Sequence, residues 1–406
     1  RLRSRGLGDV YKRQELMDGE IAVIDKQKID LFDPNGKQIT REAFHLDIDA
    51  SETDKGIYPY YMLKEVDEQA IVARTLSQYY FDDEGQVQNI APEIIEAMQA
   101  ADRIYIVAAG TSYHAGLVGQ RYFEQWTQTP TEVHISSEFA YEQPLLSKKP
   151  FFIFLSQSGE TADSREVLDN ITKQGYPTLT IANVMNSTLT READFALPLL
   201  AGPEIAVAST KAYTAQIIVT AILAAAVGHT PFDLKNELAK VAVEMQVIID
   251  QKDTFKSIAE SALKHRRSAF YIGRGLDAAV AVEAALKLKE ISYVQTEGFA
   301  AGELKHGTIS LIEEGTPIFA LLTQAKTAGL VRGEIAQVAA RGANTVIIAA
   351  KTLAKKDDSF VLPGVNELLM PLLTVIPAQL IAYYATLDRG LDVDRPRNLA
   401  KSVTVQ

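Results

Sequence analysis

Short runs of consecutive apolar residues alternate along this chain with stretches whose apolar positions recur at helical spacing. An unbroken apolar run bounded by turn residues marks a strand buried on both faces, and a 3.6-residue period marks a helix that covers it. From residue 90 to 228 the pattern predicts a helix over 94–101, a strand over 104–108, a helix over 113–127 and strands over 131–135 and 151–155. A helix over 164–174, a strand over 178–181 and a last short strand within 194–199 follow. Parallel strands joined by helical crossovers are covered on both faces, so the class is α/β and doubly wound.

The pattern then recurs. Pro150–Gln157 aligns with Pro317–Gln324 at an offset of 167, and Gly175 with Gly342 at the same offset. Ile106 pairs with Ile272 at 166, and 195–198 with 360–363 at 165. A near-constant offset over four features implies two tandem copies of one α/β unit. Ahead of them, 21–24 and 29–32 read as strands, and 33–36 as a turn leading to a third strand or edge. That is too little chain for a core of its own, so it reads as the β remnant of a larger domain. The expected organisation is 15–50 remnant, 51–85 linker and helix, 86–245 first α/β domain, 246–390 second, and 391–406 a C-terminal tail. Residues 1–14 carry five basic residues and one acidic and show no period. They are expected to be an artefact of cloning or sequencing.

Composition narrows the class. With 47% hydrophobic and 23% charged residues in 406, the chain is globular. A formal net charge of −11 argues against nucleic acid and anionic membranes as partners. The absence of cysteine excludes disulfides, thiolate nucleophiles and cysteine-based metal sites. The apolar run 217–228 is too short to span a bilayer, and 368–385 is interrupted by Pro371, Pro377 and Gln379. Both read as buried helices, and a cytoplasmic location is the expectation.

The candidate chemistry centres on Ser156-Gln157-Ser158-Gly159-Glu160-Thr161, between a strand and a helix. Backbone N–H groups and a helix N-terminus there suit an anion, hydroxyls add donors, and glycine permits close approach. The competing reading is an ordinary Ser/Thr helix cap beside a turn. The second copy has Thr323-Gln324-Ala325-Lys326 instead, which assigns a phosphate to the first copy only. Gly110-Thr111-Ser112 ends another strand, and ligands of open α/β sheets bind beyond strand carboxyl ends. Thr111, Ser112, Ser156, Gln157, Ser158 and Thr161 are thus expected to converge. The segment 202–211 reads as a loop over a sugar or, slightly favoured, as leading to Ser209 as a helix N-cap. In the helix over 278–293, Glu283, Lys287 and Glu290 share one face. Because the rest of that helix is apolar, the face suits a buried proton-transfer pair as well as surface ion pairs. His306, after a loop of small residues at 298–302, is a candidate acid/base. The tail lacks a helical period and reads as frayed. Lys401 becomes a nucleophile only if the tail folds back into a site that desolvates it.

These motifs, with Leu286–Tyr293, Glu303–Gly307 and Pro396–Val405, occur in this order in the isomerising glutamine–fructose-6-phosphate aminotransferases, which the chain resembles from about residue 15 to its end. The resemblance implies two tandem sugar-isomerase (SIS) domains preceded by the end of a glutaminase domain, whose cysteine nucleophile this chain lacks. It implies that Thr111, Ser112, Ser156, Gln157, Ser158 and Thr161 hold a 6-phosphate and that Val207, Ser209 and Ala400 line the sugar. It further implies that His306 of a neighbouring subunit opens the ring and that Lys401 forms a Schiff base. Glu290 then moves a proton from C1 to C2, and Lys287 assists at the C1 hydroxyl. The implied ligands are fructose 6-phosphate, glucosamine 6-phosphate and glutamine-derived ammonia, in a homodimer without metal or organic cofactor. Ala109 and Thr308 depart from the common pattern without removing a catalytic group. The alternative is a non-catalytic SIS sensor of sugar phosphates, a class that dispenses with Glu290 and Lys401 and usually carries a DNA-binding module or a partner surface. Phosphoglucose isomerisation is an expected side reaction.

Overall fold

The computed structural model describes residues 12–13, 19–25, 28–40, 44–45 and 54–404. The chain divides into two compact units, Arg1–Asp54 and Lys55–Gln406. In the first, antiparallel strands Ile21–Ile24, Ile29–Phe32 and Gln38–Ile39 form one sheet, and Lys12–Arg13 pairs with Phe44–His45. The Asp33 carboxylate accepts the N–H groups of Asn35 and Lys37, which builds the expected turn. The expected artefact at 1–14 lies outside the described residues except for 12–13.

The second unit opens with helices α1 (Tyr61–Asp67), α2 (Gln69–Tyr80) and α3 (Pro92–Ala100). Two five-stranded parallel sheets follow. The first contains β1 (Arg103–Ala108), β2 (Thr131–Ile135), β3 (Pro150–Ser156), β4 (Thr178–Ala182) and β5 (Phe195–Pro198). The second contains β6 (Ser268–Gly273), β7 (Gln295–Ala300), β8 (Pro317–Leu322), β9 (Asn344–Ala350) and β10 (Phe360–Leu362). The strand orders are β2-β1-β3-β4-β5 and β7-β6-β8-β9-β10, the same order twice, as the repeat requires. Every residue of β3 and of β8 is buried, as expected of a central strand with helices on both faces.

Four helices matter for the site: α4 (Gly110–Thr127), α5 (Ala162–Lys173), α6 (Lys211–Val227) and α7 (Leu276–Ser292). Helix α4 packs on both α6 and α7, and α7 packs on α8 (Met370–Asp388). One hydrophobic cluster runs through both repeats, with Ile106, Ile153 and Tyr213 of the first and Ala281, Leu288 and Leu380 of the second. Helix α8 begins with Pro371 in its first turn and holds Pro377 in its interior. It is long and apolar enough to cross a membrane, but it is buried inside the protein. That burial explains its apolar surface all round.

Three details differ from the sequence reading. The single helix expected within 51–85 is two, α1 and α2, meeting at Glu68. Helices α4 and α5 start earlier than expected, at Gly110 and Ala162. The small-residue loop at 298–302 is instead the end of strand β7 and the start of a 3₁₀ turn, Ala301–His306. A Cβ on Gly298 would stand 2.2 Å from the Ala281 carbonyl oxygen of α7. Close helix–strand packing selects glycine here, and because this is an edge strand with Gln295, Glu297 and Ala300 exposed it lacks the continuous apolar run of a central strand.

Candidate active site

In a sheet of order 2-1-3-4-5, neighbouring crossovers turn to opposite faces between strands 1 and 3. A crevice opens there at the strand carboxyl ends. In the first repeat, the start of α4 and the 156–161 turn flank that crevice. The residues before α4 and α5, Ala109 and Thr161, make no side-chain cap hydrogen bond, so both positive helix ends are presented toward it. A cavity of about 340 Å³ lies at this point. Thr111, Ser112, Gln157, Thr161, Val207 and Ser209 line it from the first repeat, Glu290 from α7, and Ala400 and Lys401 from the tail.

The turn itself is rigidly built. Ser156 is buried, and its Oγ accepts the Gly159 N–H at 2.9 Å and lies 3.4 Å from Thr161 Oγ1. Ser158 Oγ accepts the Glu160 N–H at 3.2 Å. Both serines shape the turn and are absent from the cavity wall, unlike the other expected phosphate residues. Gly159 has φ +65°, and a Cβ there would stand 1.8 Å from Ser187 Oγ. Only glycine fits.

Helix α7 brings the second repeat to the cavity. Lys287 is 1% exposed, and its Nζ lies 2.8 Å from Glu290 Oε2, 3.5 Å from Glu283 Oε1 and 3.0 Å from Thr111 Oγ1. Thr111 donates to Glu283 Oε1 at 3.2 Å, and Glu283 Oε2 lies 2.7 Å from His114 Nδ1. A hydroxyl of one repeat and an amine of the other therefore meet directly. Burial works against the Lys287 charge, but Glu290 and then Glu283 outweigh it and raise its pKa above the ordinary lysine value. The surface ion-pair alternative for this face is excluded for Lys287 and Glu283, which are buried.

The tail is not frayed. The two carboxylate oxygens of Asp394 accept the N–H groups of Tyr61 and Met62 at the start of α1, each at 2.9 Å. The Asp394 carbonyl accepts from Val207 at 3.0 Å. Arg397 stacks its guanidinium 4.2 Å from the Tyr293 ring centroid, and its N–H donates to Tyr293 Oη at 2.7 Å. The Val403 carbonyl accepts the first N–H of α5, from Ala162, at 3.2 Å. Held between these points, Lys401 places Nζ 2.5 Å from Glu204 Oε2 and 3.2 Å from Ser209 Oγ.

Glu204 was not singled out from the sequence, where it is one polar residue in an aperiodic loop. Its side chain is fully buried. Oε1 accepts the N–H groups of Thr210 and Ala212 at 2.8 and 3.1 Å, and Oε2 accepts the Ser209 hydroxyl at 2.9 Å. Burial alone would raise its pKa. The Lys401 charge and these donors prevail and lower it below the ordinary glutamate value. The expected role of Ser209 as N-cap is corrected accordingly: Thr210 is the cap residue of α6, Glu204 supplies the capping oxygen, and Ser209 faces the cavity.

His306 stands exposed at the end of the 3₁₀ turn and does not line this cavity. At the corresponding switch point of the second repeat, Asp277 in the first turn of α7 is buried, and it accepts the N–H and hydroxyl of Thr323 at 2.7 and 2.5 Å. A carboxylate thus takes up the donors that a phosphate would need. Burial pushes Asp277 up to about 6. Among the described residues, no group of three or more His, Asp or Glu side chains is placed to hold a metal ion.

The SIS domain family matches this chain twice, at residues 97–226 and 262–389. The "C-terminal domain of glucosamine-fructose-6-phosphate aminotransferase" of Francisella tularensis superposes with a TM-score of 0.77 at 33% identity, over 85% of this chain and 100% of that one. The chain belongs to the isomerising glutamine–fructose-6-phosphate aminotransferase family. Members of that family from Lactiplantibacillus plantarum and Bacillus subtilis are 61% and 57% identical to it. The match takes in 97% of this chain and 66% of the length of each relative. A glucosamine-6-phosphate deaminase from Thermotoga maritima, at 21% identity and a TM-score of 0.69, shares the fold.

Proposed function

We propose that this chain is the isomerase part of an aminotransferase of this family, converting fructose 6-phosphate and ammonia to glucosamine 6-phosphate. The 6-phosphate sits at the N-termini of α4 and α5, with hydroxyls of Ser112 and Thr161 and the amide of Gln157 as donors, the Thr111 hydroxyl turning from Glu283 to join them when the phosphate binds, and Ser156 and Ser158 holding the turn in shape. Anchoring the phosphate directs the other end of the sugar to Lys401 and Glu290 and removes much of the entropic cost of reaction. Val207, Ser209 and Ala400 bound the sugar. His306 of a neighbouring subunit opens the ring, and its exposure away from its own cavity supports a homodimer. Lys401 gives up its ammonium proton to solvent, the free amine adds to the C2 ketone, and water leaves, giving an imine. Ammonia adds at C2 and expels the Lys401 amine. Glu290 takes a proton from C1 and returns one to C2, the C1 hydroxyl proton passes to the C2 nitrogen, and the Lys287 ammonium stabilises charge developing at the C1 oxygen. The product aldehyde closes to glucosamine 6-phosphate. The ammonia derives from glutamine outside these residues, and the enzyme is cytoplasmic.

One observation carries this reading: Lys401, Glu290 and the hydroxyl-bearing turns line a single cavity, although they lie far apart in sequence. The test is incubation with fructose 6-phosphate and ammonium, scoring glucosamine 6-phosphate and glucose 6-phosphate. Glu290→Gln is expected to lose both products by about 10²- to 10⁴-fold while still binding the phosphate ester. Unchanged turnover in that variant would reject the assignment of Glu290 as base.

A further inference from the structure

We propose that Glu65, on α1 outside the cavity, is a positioning residue for Lys401. This rests on the reading of Lys401 as the Schiff-base lysine. Glu65 is 1% exposed, and its Oε1 accepts the N–H groups of Ile205 and Ala206 at 2.5 and 3.0 Å. Those residues immediately follow Glu204, the direct partner of Lys401. The same helix receives Asp394 of the tail at its N-terminus, through the N–H groups of Tyr61 and Met62. Helix α1 therefore grips the loop that carries the carboxylate and, independently, the tail that carries the amine. Its second oxygen, Oε2, is buried without a hydrogen-bond partner. Burial and then the adjacent Glu204 charge raise the Glu65 carboxyl to about 8. The acceptor at Oε1 is thus what this residue supplies, and an amide oxygen can supply it equally.

Glu65→Gln keeps that oxygen in place. Glu65→Asp withdraws it by one methylene while retaining a carboxyl. The assay is the rate of borohydride trapping of fructose 6-phosphate on Lys401, with KM and kcat measured alongside. Glu65→Gln is expected to trap within about threefold of the parent. Glu65→Asp is expected to trap about 10- to 100-fold more slowly with KM near the parent value, because the phosphate anchor is untouched. If Glu65→Asp does not fold, Asp394→Ala releases the tail from the same helix and is expected to show the same split. A parent that does not trap on Lys401 overturns the Schiff-base reading and this proposal with it. A parent that traps, with Glu65→Asp trapping equally fast or Glu65→Gln as slow as Glu65→Asp, overturns the positioning role alone. In the Asp394→Ala arm, parent-rate trapping does the same.

Discussion

The pairing of Glu204 with Lys401 can be measured as a coupling energy. Glu204→Leu removes the acceptor for two backbone N–H groups and the Ser209 hydroxyl and leaves the Lys401 ammonium without its anion. Breaking such a buried arrangement costs about 3–5 kcal/mol. In Glu204→Gln, the amide oxygen at the Oε1 position keeps both N–H bonds, so the loss is chiefly that of the ion pair. The Lys401 side chain is 22% exposed, and partial screening limits that loss to about 1–2 kcal/mol. Lys401→Met removes the other partner, and the double variant closes the cycle. The expected coupling, from urea unfolding at about pH 7, is about 1–2 kcal/mol. The folded pKa of Glu204 is lowered from 4.5, so its stabilisation is complete above the unfolded value and is lost as pH falls through the folded one. The difference between parent and Glu204→Gln should therefore shrink toward acid. A coupling under about 0.5 kcal/mol at neutral pH, or a difference that grows on acidification, would refute the assignment of this contact as a stabilising ion pair.

Gly159→Ala forces a side chain into the left-handed region and against Ser187. It should distort the phosphate turn and raise KM for fructose 6-phosphate by about 5- to 30-fold, as about 1–2 kcal/mol of strain would; steady-state kinetics at saturating ammonium would show it. Asp277 has a folded pKa of about 6 against 3.8, so the folded state holds its proton more tightly and ionisation opposes folding. Parent stability should fall by up to about 3 kcal/mol as pH rises from about 4 to about 6 and then level off, whereas Asp277→Asn should lack that component. Urea midpoints at several pH values would test this.

The order of apolar runs determined the α/β class, and the offset of about 167 residues determined that the unit occurs twice. Both are properties of burial period, which is written locally: a strand covered on two faces must be apolar throughout, as β3 and β8 are. The turn at 156–161 was legible for the same reason, since glycine and hydroxyl residues at a strand end are local backbone requirements. The common strand order and the switch point it creates were settled only by tertiary structure. So were the contact of Lys287 with Thr111, a hydroxyl 176 positions away in sequence, and the capture of the tail by α1, with Asp394 more than 330 positions from its backbone donors. Glu204 and Glu65 carry no pattern of their own. Their environment is assembled from three separate parts of the chain, and a carboxylate's burial and partners are fixed only when those parts meet. Strand β7 was hidden because it lies at the sheet edge, where Gln295 and Glu297 are exposed, and because close packing of α7 selected glycine at 298, so no continuous apolar run marks it.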